Sequence, residues 1–225
     1  MANRWSNEPI LCKYALKTNS IITYVNYRLA PEYKHPTAVY DCYDCLKFLL
    51  EHKADFHIDD KQVILMGDSA GGMICFSIAQ LARDEAHRNL FKKMVLIYPA
   101  MDNRKVPDDD LSWDERNLIY DNTFGLQYKT GEVMSRWYFP SWESVNSPLG
   151  SPIVCEDYAN FPPVRIFTCE YDALKIAARE VAEKMRVGER EGKGLTCRTQ
   201  ESMCAISASK EPCTQYGDRI CMIVD

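Results

Sequence analysis

The stretch Val63-Ile64-Leu65-Met66-Gly67-Asp68-Ser69-Ala70-Gly71-Gly72 decides the fold. Four apolar residues run into the small-residue segment 67–72, and Met73-Ile74-Cys75-Phe76-Ser77-Ile78-Ala79-Gln80-Leu81-Ala82-Arg83 continues as a helix. Strand, tight turn and helix in that order give a Gly-x-Ser-x-Gly motif its chemical meaning. Glycines on both sides permit a bend that a Cβ would obstruct, so the central serine projects from it. The amide after the serine falls at the start of a helix, where negative charge is favoured. Ser69 is therefore placed as a nucleophile, and the Ala70 N–H as half of an oxyanion hole. An ordinary strand-to-helix turn built of small residues fits the motif alone; the flanking strand and helix argue for the first reading.

Outward from this turn the chain alternates between two periodicities. Residues 3–18 read as a helix, with Ile10, Leu11, Tyr14, Ala15 and Leu16 on one side. Residues 21–27 are β-branched and aromatic and read as a strand, followed by a loop broken at Pro31. A helix over 36–50 begins with a proline, which a first turn tolerates. A strand at 93–98 stops at Pro99. The resulting β-α-β-α-β pattern implies a parallel sheet covered on both faces.

The alternation pauses between about residues 103 and 160, where the acidic cluster Asp108-Asp109-Asp110 and the aromatics Trp113, Tyr120, Phe124, Tyr128, Trp137, Tyr138, Phe139 and Trp142 lie. These aromatics suit short helices packed on the sheet, or a lid that supplies an apolar pocket over the serine. The pattern resumes with a strand at 164–169, the acidic step Glu170-Tyr171-Asp172, a helix at 173–186 and a further strand at 195–200. The residues after Ser202 show no periodicity that assigns them. Ligand-binding groups of an open parallel sheet collect at the carboxyl ends of its strands. Ser69 and Asp172 both fall at such ends, and Asp172 suits either an acid that orients a histidine or a helix N-cap.

Composition removes several classes of function. A chain of 225 residues with 46% hydrophobic content suits one compact domain. Its net charge of −5 argues against a nucleic-acid binder or a basic membrane-surface protein. No apolar run approaches a membrane span, and residues 1–5 lead into no signal-peptide core. There is no Gly-x-Gly-x-x-Gly and no His-Glu-x-x-His. The ten cysteines sit in a chain without a secretory start, so the reading is free thiols in a reducing compartment, the cytoplasm by default. Cys42-x-x-Cys45 falls in an amphipathic helical stretch without a second pair, which suits buried thiols better than a zinc or redox site.

Four stretches together resemble the hormone-sensitive-lipase branch of the α/β-hydrolase fold, which includes arylacetamide deacetylases and many microbial carboxylesterases. Tyr27-Arg28-Leu29-Ala30-Pro31-Glu32, with His35-Pro36 and Asp41, resembles that branch's signature. Residues 67–72 resemble its elbow. Ser147-Pro148-Leu149-Gly150-Ser151-Pro152 with Phe161-Pro162-Pro163 resembles its return from the cap. Thr168-Cys169-Glu170-Tyr171-Asp172-Ala173-Leu174 resembles the segment bearing its acidic triad member.

The resemblance covers about residues 8–190 and implies a partial α/β-hydrolase fold, shortened at its N-terminus and divergent at its C-terminus: a mostly parallel sheet, helices on both faces and a helical cap insertion. On that reading residues 1–225 form a single domain, with core at 1–102, cap at 103–160, core again at 161–201 and an atypical tail at 202–225. It also implies Ser69 as nucleophile, Asp172 as orienting acid and Ala70 as oxyanion donor. The reaction implied is hydrolysis of a small apolar carboxylic ester through an acyl-enzyme, with no cofactor and no metal.

Two departures bear on activity. The family's His-Gly-Gly-Gly oxyanion loop belongs some thirty residues before the signature, yet the residues before Tyr27 contain no glycine. The triad histidine should follow the acid in chain order, whereas His35, His52, His57 and His87 all precede Asp172. In Glu201-Ser202-Met203-Cys204-Ala205 an alanine stands where the family usually carries that histidine. Loss of the base costs on the order of 10⁶ in kcat in a related kind of enzyme, and loss of an oxyanion donor roughly 10²–10³. The expectation is thus an ester hydrolase by family whose turnover is impaired in this chain. The alternatives are a non-catalytic small-molecule binder, as gibberellin receptors that resemble this branch are, or an inactive fragment of a longer form, membrane-anchored or not.

The resemblance carries two geometric expectations. Ser69 and Asp172 should lie on neighbouring strand ends with room for an imidazole. The missing oxyanion-loop strand should leave a gap between the strand at 21–27 and the elbow strand. Direct pairing of those strands, a partner molecule, or partial unfolding are the three outcomes it suggests, with poor solubility or the lack of a cooperative thermal transition as the consequence.

Overall fold

The computed structural model describes residues 4–104, 128–190, 196–202 and 221–224. Helix α1 (Arg4–Thr18) leads to strand β1 (Ile22–Tyr24), and α2 (Thr37–Glu51) leads to β2 (Ile64–Asp68). Helix α3 (Ala70–Ala86) leads to β3 (Lys93–Ile97). Next come α4 (Tyr128–Tyr138), α5 (Trp142–Val145) and a 3₁₀ turn at Pro152–Val154. Strand β4 (Val164–Cys169), α6 (Leu174–Arg190), β5 (Cys197–Ser202) and β6 (Cys221–Val224) complete the order.

The strands form one sheet in the order β1-β6-β2-β3-β4-β5, and every neighbouring pair is parallel. Helix α2 buries Ala38, Val39, Cys42 and Leu46, positions spaced to lie on one face. Helix α3 is apolar nearly all round, and Met73, Ile74, Cys75, Phe76, Ile78, Ala79 and Ala82 are all buried; it packs on β2, β3 and α2. Helix α6 packs on β4 and β5, burying Ala178, Val181, Ala182 and Met185. Consecutive residues of the central strands are buried, Val63 to Leu65 in one and Met94 to Leu96 in the next, so both faces are covered there.

The expected gap beside the elbow strand is filled by none of the three routes the sequence suggested. The chain's own tail fills it. Cys221, Met222 and Ile223 pair with Ile22, Thr23 and Tyr24 of β1, while Cys221 to Val224 pair with Ile64 to Gly67 of β2. Both rows of backbone groups that would otherwise be unpaired thus gain partners, each such group being worth about 1–3 kcal/mol if left buried and unsatisfied. Strand β1 is shorter than its β-branched run because its last pair is Tyr24 with Ile223. The acidic cluster at 108–110, Trp113, Tyr120, Phe124 and Ala205 lie outside the described residues.

Candidate active site

Strand β2 ends at Asp68 and α3 begins at Ala70, so a single residue, Ser69, makes the turn. It adopts φ 53° and ψ −119°, a region that side-chain-bearing residues rarely occupy. Such a conformation costs about 1–3 kcal/mol and persists only where the surroundings hold it. Here the surroundings are identifiable. The Ser69 N–H donates to Ile97 O at 2.9 Å. The Ser69 carbonyl accepts from the N–H groups of Ala100 at 2.9 Å, Gly72 at 3.1 Å and Met73 at 3.4 Å. The Tyr98 hydroxyl donates to Asp68 Oδ2 at 3.2 Å.

The flanking glycines follow from the same closeness. A Cβ on Gly67 would stand 2.3 Å from Gly71 O, and one on Gly72 would stand 2.6 Å from Pro99 Cβ. The end of β3 and the loop after it therefore clamp the turn. Sequence reasoning read Pro99 only as a strand stop and missed Tyr98, Pro99 and Ala100 as parts of the elbow. Their contacts are non-local, and the only sequence trace is a proline directly after a strand. Ser69 is half-exposed and Ala70 exposed. As the first residue of α3, Ala70 carries an N–H without an intrahelical acceptor, free to face an oxyanion.

Asp172 lies three residues past the end of β4, at the same carboxyl edge of the sheet. It is fully buried, and its Oδ1 accepts from the Leu174 N–H at 3.0 Å. Its Oδ2 has no hydrogen-bond partner among the described residues. Burial pushes this carboxyl up to about 6, against the smaller opposing effects of the Leu174 N–H and Lys175. The expectation of neighbouring strand ends is corrected by the sheet order: β3 lies between β2 and β4. Two strand spacings separate the ends laterally by about 9.6 Å.

None of the four histidines has a described contact with Ser69 or Asp172. Topology explains three of them. His52 caps the C-terminus of α2 and stacks on Phe48 at 4.2 Å, and His57 precedes β2. His87 caps the C-terminus of α3. All three lie where helices return to the amino ends of strands, opposite the elbow. His35 is on the carboxyl side but buried, with its ring 5.0 Å from Phe139 and 5.5 Å from Tyr138. Burial lowers its pKa to about 4, so it is neutral at physiological pH.

The remaining sequence stretches brace this edge. Arg28 holds Asp41 through its backbone N–H at 3.0 Å and its guanidinium Nη2 at 2.6 Å, which ties the loop after β1 to α2. Ser77 Oγ donates to Leu149 O at 2.8 Å, and Asn103 Nδ2 donates to Gly150 O at 2.7 Å. The segment 147–152 is thereby fastened to α3 and to the loop after β3. Of the aromatics expected to pack or to form a lid, Phe139 is buried against His35, while Trp137 and Trp142 are exposed. Cys42 and Cys45 are free thiols on α2, and burial pushes both pKa values up.

The family model for the alpha/beta hydrolase fold matches residues 1–204. An arylesterase of Saccharolobus solfataricus is 30% identical over 67% of this chain and 47% of its own length. Arylacetamide deacetylase of Oryctolagus cuniculus is 39% identical over 36% of this chain and 21% of its own length. Among solved structures, the thermostable carboxylesterase EstE1 from a metagenomic library superposes with a TM-score of 0.81 at 27% identity, covering 91% of this chain and 66% of that one. The Pyrobaculum calidifontis esterase gives a TM-score of 0.78 at 27% identity, covering 89% and 62%. The chain spans about half the length of the first relatives it matches. With a strained serine between strand and helix, an acid after the next strand but one, and relatives that are esterases, the chain belongs to the α/β-hydrolase fold family, in the branch of hormone-sensitive lipase and arylacetamide deacetylase.

Proposed function

We propose that this chain carries the acyl-transfer half-site of a serine carboxylic-ester hydrolase, with Ser69 as nucleophile, the Ala70 N–H as oxyanion donor and Asp172 as orienting acid. The observation that carries the reading is Ser69 at φ 53°, held by the loop after β3. In the reaction Ser69 Oγ attacks the ester carbonyl, its proton passes to a base and on to the departing alcohol, and water then releases the acid from the acyl-serine. The substrate class is a small apolar ester, by likeness to relatives named as esterases. No cofactor or metal enters this scheme.

The base is the missing part. No histidine follows Asp172 in this sequence. Asp172 Oδ2, without a partner among the described residues, fits an acid whose imidazole partner is lacking. Ser69 then keeps its proton at neutral pH and turnover is impaired. The purified chain is expected to hydrolyse short-chain aryl esters no faster than its Ser69→Ala variant, measured by release of the aryl alcohol. A rate tenfold or more above the variant at pH 7 to 8 overturns the impairment and points to another base.

Among the described residues, the free thiols at Cys12, Cys42, Cys45 and Cys155 support a reducing compartment such as the cytoplasm. Among the described residues no helix is long and apolar enough to cross a membrane.

A further inference from the structure

Among the described residues, strand β6 is the one element of the sheet that the family model does not reach, since that match ends at residue 204. It is also the last strand in the chain and second from one edge of the sheet, between β1 and β2. It shares no ladder with β5, the strand it follows, from which it is four strand positions away. That is about 19 Å at the usual spacing. The eighteen residues 203–220 can reach about 60 Å when extended, so their length does not force one register. What locates β6 is its surroundings: the two ladders with β1 and β2, beside α3.

Ladder bonds are backbone bonds, and they do not depend on the covalent origin of the strand that makes them. We propose that the space between β1 and β2 is an acceptor site for a short, apolar, extended peptide strand running parallel to both. Its occupant is this chain's own Cys221–Val224, and that occupant is exchangeable for a free peptide of the same sequence. Addition of an extended peptide to open strand edges is a known mode of recognition, with main-chain hydrogen bonds supplying the affinity. Here both edges are offered at once. The tethered tail competes at an effective concentration of the order of millimolar, so exchange becomes visible only when the tail itself is disabled.

The site also bears on the elbow. Val224 is level with Gly67, two residues before Ser69, so the occupant supports the strand that presents the serine. The proposal does not need the serine to be catalytic, and its test reads folding rather than activity.

The test uses the full chain carrying Met222→Pro. Proline removes an N–H and obstructs a central strand. Several buried groups lose their partners, each loss moving the midpoint by a few degrees at this chain length. The thermal transition followed by circular dichroism is expected to fall by about 10 °C or more, or to disappear. Refolding the variant with millimolar peptide of residues 219–225, under reducing conditions, should restore the transition toward that of the parent. The same peptide with proline in place of Met222 should restore nothing. A variant that melts with the parent, a variant that the matching peptide leaves unchanged, or equal restoration by both peptides overturns the proposal.

Discussion

Ser69→Gly should make the protein more stable than both Ser69→Ala and the parent. The Ser69 side chain contributes no capping hydrogen bond to α3, so removing its hydroxyl costs little. Its backbone is the expensive part, at φ 53° and ψ −119°. Holding a side-chain-bearing residue there costs about 1–3 kcal/mol, and glycine relieves that cost. Glycine also loses more freedom on folding, by roughly 0.5–1 kcal/mol against alanine. The difference leaves a gain of about 1 kcal/mol, and with 225 residues that raises the midpoint by about 2–4 °C. Alanine keeps the Cβ and therefore the strain, so Ser69→Ala should melt within about 1 °C of the parent, a small fraction of that shift. Differential scanning calorimetry of the three proteins in one buffer measures this. If Ser69→Gly melts at or below Ser69→Ala, the turn is not strained and the argument from Ser69's backbone to a nucleophile fails.

Two other substitutions test the elbow and the acid. Gly72→Ala should lower the urea midpoint, because the new Cβ would stand 2.6 Å from Pro99 Cβ and overpacking costs about 1–3 kcal/mol. Gly131→Ala, in α4 with nothing within 4 Å of its Cβ, should raise the midpoint through the roughly 1 kcal/mol helix preference for alanine; equal effects of the two would contradict the clamp. Asp172→Asn should change the pH dependence of stability. The folded carboxyl titrates at about 6 against an ordinary 3.8, so the native state holds a proton that the unfolded state releases between those values. Stability from this group is present at low pH and lost as pH rises through the folded value. Relative to the parent, Asp172→Asn should therefore gain on the order of 2 kcal/mol between pH 4 and pH 7; a constant difference across that range shows that Asp172 is not perturbed by burial.

The elbow, the alternation of strands and helices, and the segments bracing the carboxyl edge were all legible in the sequence. Their signals are local. Gly67 and Gly72 are needed within six residues because a backbone reversal from strand to helix leaves no room for a Cβ at either position. Helices α2, α3 and α6 announce themselves through the spacing of apolar side chains that a sheet must cover. Asp172 was legible for the same reason, as an acidic step between a strand and a helix, although its lateral distance from Ser69 was not. Sheet order decides that distance, and sheet order is a property of pairing between segments far apart in the chain.

Tertiary structure alone decided two things. One is the clamp of Tyr98, Pro99 and Ala100 on the turn, where a residue read as a strand stop supplies the contact that Gly72 must accommodate. The other is β6. Cys221-Met222-Ile223-Val224 is a short apolar run without periodicity, which could as well be a fragment of buried helix. Nothing in those four residues names β1 and β2 as partners. Their place is set by two rows of backbone donors and acceptors left open more than 150 residues earlier in the chain, a demand the tail meets with its main chain.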